Sequence, residues 1–151
     1  MNLLKQRGIR AMRVVASILA LFAGIFFPVS QAVAADTTKP IVSGFSVTPS
    51  SLTVGNSFTI FYTVSDSGGS GLWQAQLWRA PDVGGVPGAW AKITTNSLSG
   101  NGPVSGSFTD TPTTGTYWYG VHGVDVAVNI GVELSSVKVI VNPVPVADTT
   151  K

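Results

Sequence analysis

Oxygen-bearing side chains in turn sequences are the residues of this chain best suited to chemistry. Asp66 begins a loop rich in Gly and Ser, and Asp125 and Asn129 bound a second turn. Carboxylate and amide oxygens in flexible loops are the ligands that Ca²⁺ prefers. We therefore predict a calcium site at Asp66, Asp125 and Asn129, with Asp36 near the same end and Glu133 as a further candidate. The alternative is that these side chains bond their own backbone in Asx-turns.

The tryptophans are the second group that could bind a ligand. Exposed Trp rings can stack on sugar rings, and the alternation of the strands described below points Trp78 and Trp118 away from the core. These two residues are the candidates for binding a glycan. The same alternation points Trp73 inward. The alternative is that the large aromatics pack the core or cover one face of a sheet.

Catalytic chemistry has few residues to draw on. The chain has no cysteine and a single histidine, His122. This composition excludes disulfides, thiolate catalysis and zinc sites with Cys ligands, and it leaves little for a catalytic triad. We expect no enzymatic activity, no catalytic residues and no cofactor other than Ca²⁺.

Residues 1–35 have the pattern of a secretory signal peptide. Basic residues come first, an apolar run over 14–29 follows, and Ala32-Val33-Ala34 supplies small residues at a cleavage site. The apolar run is shorter than the roughly 20 residues that span a bilayer. We predict a helical leader that is cleaved after Ala34 or Ala35. The mature chain would be secreted or displayed at the cell surface, with no membrane span.

Cleavage also changes the charge of the protein. The whole chain carries nine basic and seven acidic residues, a net charge of +2. Four of the basic residues lie in the leader, so the mature chain has five against seven and a net charge of −2. The remaining cations are scattered along the sequence. We therefore expect no nucleic-acid partner.

The remaining sequence predicts an all-β domain over 36–142. Runs with period-2 alternation, bounded by Gly, Pro, Asn, Asp and Ser, predict about seven strands. In the clearest strand, Phe58, Ile60, Tyr62 and Val64 share a buried face, and Phe61 lies on the opposite face. This spacing favours an immunoglobulin-like antiparallel β-sandwich. The predicted strands are 41–48, 57–65, 72–79, 89–95, 104–109, 116–125 and 134–142.

The sequence Gly115-Thr-Tyr-Trp-Tyr119 predicts a tyrosine corner. In immunoglobulin-like sandwiches a Tyr near the start of strand F bonds the nearby backbone, two residues before the strand's cysteine position. Tyr117 would be the corner. Tyr119 would lie in the core where antibody domains place a cysteine. The alternative is an ordinary amphipathic strand that carries Tyr-x-Tyr.

Four stretches, at 35–40, 44–49, 64–72 and 115–120, together with Asp125-Val-Ala-Val-Asn129, resemble bacterial extracellular Ig-like repeats. In that family the last stretch has a glycine where this chain has Val128. The resemblance implies a non-catalytic spacer or adhesion repeat in a secreted or surface protein. Its partners would be neighbouring repeats, surface glycans or surface proteins. A carbohydrate-binding module remains the alternative.

A short internal repeat agrees with this interpretation. Ala147-Asp-Thr-Thr-Lys151 copies Ala35-Asp-Thr-Thr-Lys39 at an offset of about one domain length. Pro143-Val-Pro145 before it is typical of a stiff linker. We predict that 143–151 is a Pro-rich linker followed by the start of a truncated second repeat, and that the mature chain is a monomer.

Overall fold

The structure is a computed structural model that describes residues 35–147. The predicted leader lies outside the described residues, apart from Ala35. The same holds for the repeated segment beyond Ala147. Within 35–147, no helix has the length and apolar character that a membrane span requires.

The described part of the chain forms eleven strand segments. The predicted first strand is interrupted after Val42, and a separate short strand follows Pro49. The strands are β1 (Ile41–Val42), β2 (Ser46–Thr48), β3 (Ser51–Thr53), β4 (Phe58–Ser65), β5 (Leu72–Val83), β6 (Val86–Pro87), β7 (Ala91–Ser97), β8 (Val104–Asp110), β9 (Gly115–Asp125), β10 (Ile130–Val132) and β11 (Val137–Asn142). β1 and β2 divide the predicted strand 41–48, and the short strands β3, β6 and β10 lie outside the predicted strands.

The strands form two sheets, and the predicted immunoglobulin-like β-sandwich is confirmed. In the first sheet β4 is central and pairs with β1, β2 and β8. The second sheet has the order β3-β11-β9-β5-β6, with β10 on β9 and β7 on β5. The pairing is antiparallel with one exception: β3 and β11 run parallel, with Val141 opposite Leu52.

The core lies between the sheets and follows the alternation of the strands. On β4 the side chains of Phe58, Ile60, Tyr62 and Val64 are buried, whereas Phe61 is 46% exposed. They meet aliphatic and aromatic side chains of β5, β9 and β11 across the interior. Antiparallel sheets with one buried and one solvated face produce this pattern.

Tyr119 lies at the centre of this core with none of its surface exposed. Its ring packs edge-on against Phe58 of the first sheet, with 5.9 Å between the ring centroids. Its hydroxyl donates to Asp110 over 2.6 Å, and Arg79 pairs with the same carboxylate oxygen at 2.6 Å. Because Asp110 ends β8 while Tyr119 and Arg79 lie on β9 and β5, this polar network joins the two sheets. Burial and the Asp110 carboxylate raise the pKa of Tyr119 well above its usual value.

Tyr117 differs from the prediction in its hydrogen bond. Its hydroxyl lies 3.0 Å from the hydroxyl of Thr113, a side chain four residues upstream, and not on the backbone. The guanidinium of Arg79 covers its ring at 5.0 Å. Tyr117 therefore closes the turn into β9 through a side-chain contact.

Trp73 was predicted to point inward and is instead 49% exposed. The register of β5 against β9 shifts between Leu72 and Gln74, so that Trp73 is the extra residue of a bulge. Leu72 remains in the core, and Ala75 and Leu77 regain the inward face. At the last predicted strand, Leu134 precedes β11 and is fully exposed.

Replacement of Tyr119 tests its place in the core. Tyr119→Ala should lower the free energy of unfolding by about 3–5 kcal/mol, since a large buried aromatic side chain is lost. Tyr119→Phe keeps the ring and loses only the bond to Asp110, so it should cost about 1.5–3 kcal/mol. Urea unfolding followed by tryptophan fluorescence measures both. An Ala variant as stable as the wild type would contradict the assignment.

Candidate functional site

Three carboxylates meet at the end of the sandwich where the described chain begins. Asp36, Asp66 and Asp125 each place one carboxylate oxygen within 4.8 Å of the others. Asp36 precedes β1, Asp66 follows β4 and Asp125 ends β9. Asp66 and Asp125 are 4% and 0% exposed, and Asp36 is half-buried. We call these three residues the carboxylate cluster.

The loop after β4 wraps around the side chain of Asp66. One carboxylate oxygen accepts the backbone N–H of Gly68 over 2.9 Å, and the other accepts that of Gly71 over 3.0 Å. Gly71 has a positive φ of 77°, a conformation that glycine adopts without strain. The Gly and Ser residues of this loop therefore allow it to turn tightly around one carboxylate.

Asp36 attaches the incoming chain to the same loop. Its carboxylate accepts the N–H of Thr38 over 2.9 Å and both the N–H and the hydroxyl of Ser70, over 3.0 and 2.7 Å. A Cβ on Gly68 would overlap this carboxylate, so the close approach requires glycine there. The bonds from Ser70 and Thr38 lower the pKa of Asp36 from its usual 3.8 to about 2.

Asn129 joins Asp125 to the incoming chain as a hydrogen-bond donor. Its backbone N–H donates to Asp125 over 2.7 Å. Its side-chain nitrogen donates to the other oxygen of Asp125 over 2.8 Å and to the backbone carbonyl of Asp36 over 3.0 Å. The amide nitrogen of Asn129, not its oxygen, thus faces the cluster. As arranged here, Asn129 satisfies the carboxylate and supplies no metal ligand.

The arrangement has features of both interpretations of these residues, the Asx-turns and the calcium site. Asp36 and Asp66 bond the backbone two residues on, as Asx-turns do. The same folding brings three negatively charged groups together. The two ion pairs among residues 35–147 use other carboxylates, those of Asp110 and Asp82. Clustered carboxylate oxygens without a cationic side chain form a donor set suited to a hard cation such as Ca²⁺.

Glu133 is not part of the cluster. It lies on the outer face of the second sheet, where one carboxylate oxygen accepts the N–H of Val121 over 2.8 Å. A Cβ on Gly120 would overlap the other oxygen, so the glycine makes room for it. Burial raises the pKa of Glu133 above its usual value.

The two predicted glycan-binding tryptophans lie in different surroundings. Trp118 points outward, but its indole N–H donates to Asp82 over 2.7 Å, and the ammonium group of Lys138 lies 5.5 Å from its ring centroid. Lys138 and Trp118 lower the pKa of Asp82. Trp78 stacks on His122 with 5.0 Å between the ring centroids.

Trp78 lines an open groove of about 500 Å³ on the outer face of the second sheet. We call this the aromatic groove; Trp78, Pro87, Trp90, His122, Glu133 and Ser135 are among the residues that line it. Burial lowers the pKa of His122, which favours the neutral imidazole. Trp90 and Glu133 are two residues of this surface that are not among the predicted glycan-binding residues. The sequence prediction places Trp90 in a strand over 89–95, whereas Trp90 lies in the connection between β6 and β7, and it names Glu133 only as a metal ligand.

Comparison with known proteins gives a similarity at the level of structure. No protein-family model matches the chain, and no curated protein matches it. Among solved structures, the chain is similar to the CARDB domain of the PF1109 protein from Pyrococcus furiosus, determined in complex with di-metal ions. The two are 19% identical with a TM-score of 0.40, over 72% of this chain and 94% of that one.

The turn between Asp125 and Asn129 contains a strained residue. Val128 has a φ of 68°, a left-handed conformation that is unfavourable for a β-branched side chain, and it is 63% exposed. Val128→Gly should therefore raise the free energy of unfolding by about 1 kcal/mol, as strain relief of about 1–3 kcal/mol exceeds the entropy that glycine adds to the unfolded chain.

Val126→Gly is the matched control for this prediction. Val126 is similarly exposed, at 62%, and has no positive φ. This replacement should destabilise the protein. Denaturant titration of both variants gives the comparison, and a loss of stability in Val128→Gly would contradict the account of the turn.

Proposed function

We propose that this chain is a non-catalytic, secreted or cell-surface Ig-like module that acts as a structural spacer or interaction repeat. It would be a monomer in an array of similar modules, and its partners would be neighbouring repeats or surface glycans and proteins. The repeat of the Ala35–Lys39 sequence at Ala147–Lys151 supports the array. The observation that carries the proposal is the direction in which the chain enters and leaves the sandwich.

The chain enters and leaves at opposite ends. The backbone carbonyl of Asp36 accepts a bond from Asn129, just beyond the end of β9. Val141, near the end of β11, pairs with Gly115 at the start of β9. The 11 residues of β9 separate the two ends by about 35 Å. Modules of this kind extend an array by one strand length each.

The pairing of β3 with the last strand, β11, also resists stretching. β3 and β11 are parallel, so tension on the two ends of the domain pulls them in opposite directions along their axes. Their bonds then carry the load together instead of opening one by one. Bonds from Val54 N–H to Asn142 and from Ile140 N–H to Ser50, 2.8 and 3.1 Å long, continue this contact at both ends of β3.

Single-molecule stretching of the protein lacking residues 1–34 tests the spacer function. Because the chain has no cysteine, handles can be attached at Ala35→Cys and Ala147→Cys. Pulling there should unfold the domain in one event at high force. The control uses Ala35→Cys with Ser99→Cys, whose neighbours Gly100 and Asn101 bond Leu72 and Asp66 near the carboxylate cluster.

In the control, both handles lie at the same end, so β1 is peeled from β4 one bond at a time and unfolding should need less force. Equal unfolding forces for the two handle pairs would contradict a load-bearing role for the β3–β11 contact. Handles alone, without applied force, should leave the melting temperature of both variants unchanged.

The carboxylate cluster supports a second function, a joint stiffened by Ca²⁺. Asp36 belongs to the segment that enters the domain, and the copy of that segment at 147–151 would lead from this module into a following one, whereas Asp66 and Asp125 belong to the body of the domain. A cation held by all three would fix that segment to the domain. It would also offset the repulsion among three carboxylates within 4.8 Å.

Thermal unfolding with and without Ca²⁺ tests this second function. A ligand at about a hundred times its Kd stabilises the folded state by about 2.7 kcal/mol, so Ca²⁺ should raise Tm by about 5 °C or more and EDTA should reverse the change. Asp36→Asn should abolish the response. Asp82→Asn, which removes a charge outside the cluster, should retain it. A Tm that responds to neither Ca²⁺ nor EDTA would rule out the joint and leave the spacer proposal standing.

A further inference from the structure

The aromatic groove has the size and the composition of a small-ligand site. Its volume of about 500 Å³ lies within the range of roughly 300–1,000 Å³ that is usual for such sites. Two indole rings, a proline ring and a few polar groups meet there. Ligand sites in proteins combine apolar and aromatic walls with a small number of placed polar groups in the same way.

The groove is organised before any ligand arrives. Trp78 is held by its stack on His122 and by the bond from its indole N–H to Gln76, over 3.1 Å. Gln76 is itself 7% exposed. Side chains that are already fixed lose little rotational freedom when a ligand binds, so less of the contact energy is offset by entropy.

The backbone of β9 positions the carboxylate of Glu133 in the groove. The N–H of Val121 holds one carboxylate oxygen, and the missing side chain of Gly120 leaves room for the other. A carboxylate acts only as an acceptor, and it prefers O–H or N–H donors. A ligand in this groove should therefore bring hydroxyl or amine hydrogens to Glu133.

The charged residues of the groove further restrict the class of ligand that it can bind. None of the described residues that line it is Lys or Arg, so nothing there neutralises an anion, and Glu133 would repel one. A cation would meet one carboxylate among the described lining residues, Glu133, with one oxygen already bonded to the N–H of Val121, whereas a neutral ligand with hydroxyl groups can also bond Ser135 and Ser136.

We propose that the aromatic groove binds a neutral pyranose ring of a polysaccharide. The apolar C–H face of the ring lies against Trp78 and Trp90, and its hydroxyls donate to Glu133. This site is distinct from the spacer function and from the carboxylate cluster. It also differs from the Trp78–Trp118 pair of the sequence analysis, since Trp118 is already covered by Lys138.

Titration of the full chain with neutral hexasaccharides tests the proposal, using β-1,4-glucan, β-1,4-xylan, chitin and α-1,4-glucan oligomers as probes. Isothermal calorimetry should show saturable binding of at least one of them. Trp90→Ala should weaken that binding by about tenfold or more. Glu133→Gln, which halves the acceptor capacity and keeps the shape, should weaken it by a smaller factor.

Trp73→Ala is the matched control, because Trp73 is an exposed tryptophan of the same sheet outside the groove lining. It should leave the affinity within about twofold of the wild type. The proposal is overturned if no oligosaccharide binds, if Trp73→Ala weakens binding as much as Trp90→Ala, or if tetramethylammonium binds more tightly than every sugar. The melting temperature of each variant shows that it is folded.

Discussion

The packing of Tyr119 between the two sheets is the interaction on which the rest of the structure depends. A sandwich without cysteine must hold its sheets together by burial and hydrogen bonds alone. Tyr119 contributes to both, through its ring against Phe58 and its hydroxyl on Asp110. Asp110 accepts a second bond from Arg79, so the charge inside this contact is compensated. Tyr119 thus links the two sheets through non-covalent contacts at the position where antibody domains have a disulfide.

The two ends of the sandwich carry different polar groups on either side of this packed core. Asp110 lies at the end where β4 starts, opposite Phe58 in the ladder. The carboxylate cluster lies beyond the other end of β4 and is built from loops. Its carboxylates are already bonded by backbone N–H groups and by Ser70 and Asn129, so the loops are ordered without any ion. A cation there would stabilise loops that are already ordered by these hydrogen bonds, so folding of the domain does not require it.

The sequence predicted best where a physical rule acts residue by residue. The alternation of β4 and the burial of Tyr119 follow from period-2 patterning, which is local. The prediction for Trp73 is wrong because no pattern in the sequence marks the bulge. A bulge shifts the alternation of inward and outward side chains by one residue. Asp66 and Asp125 could be placed at one end from the sandwich topology.

The partners of individual side chains were harder to predict. That Asn129 would present its nitrogen, or that Lys138 would cover Trp118, depends on contacts between strands distant in sequence. Glu133 shows the same limit. Its position depends on Gly120, and glycines within strands have several explanations. Alternation therefore specified which face a residue takes, and tertiary contact specified what it meets there.

The place of β11 has a consequence for how the domain is made. β11 lies between β3 and β9, and among the strands of residues 35–147 β3 has no other neighbour in its sheet. β3 therefore cannot pair until the chain has been synthesised up to Asn142, whereas β1 and β2 can already pair with β4. Every earlier intermediate exposes the unpaired edge of β9. The second sheet is therefore completed only when β11, the last strand, has been synthesised.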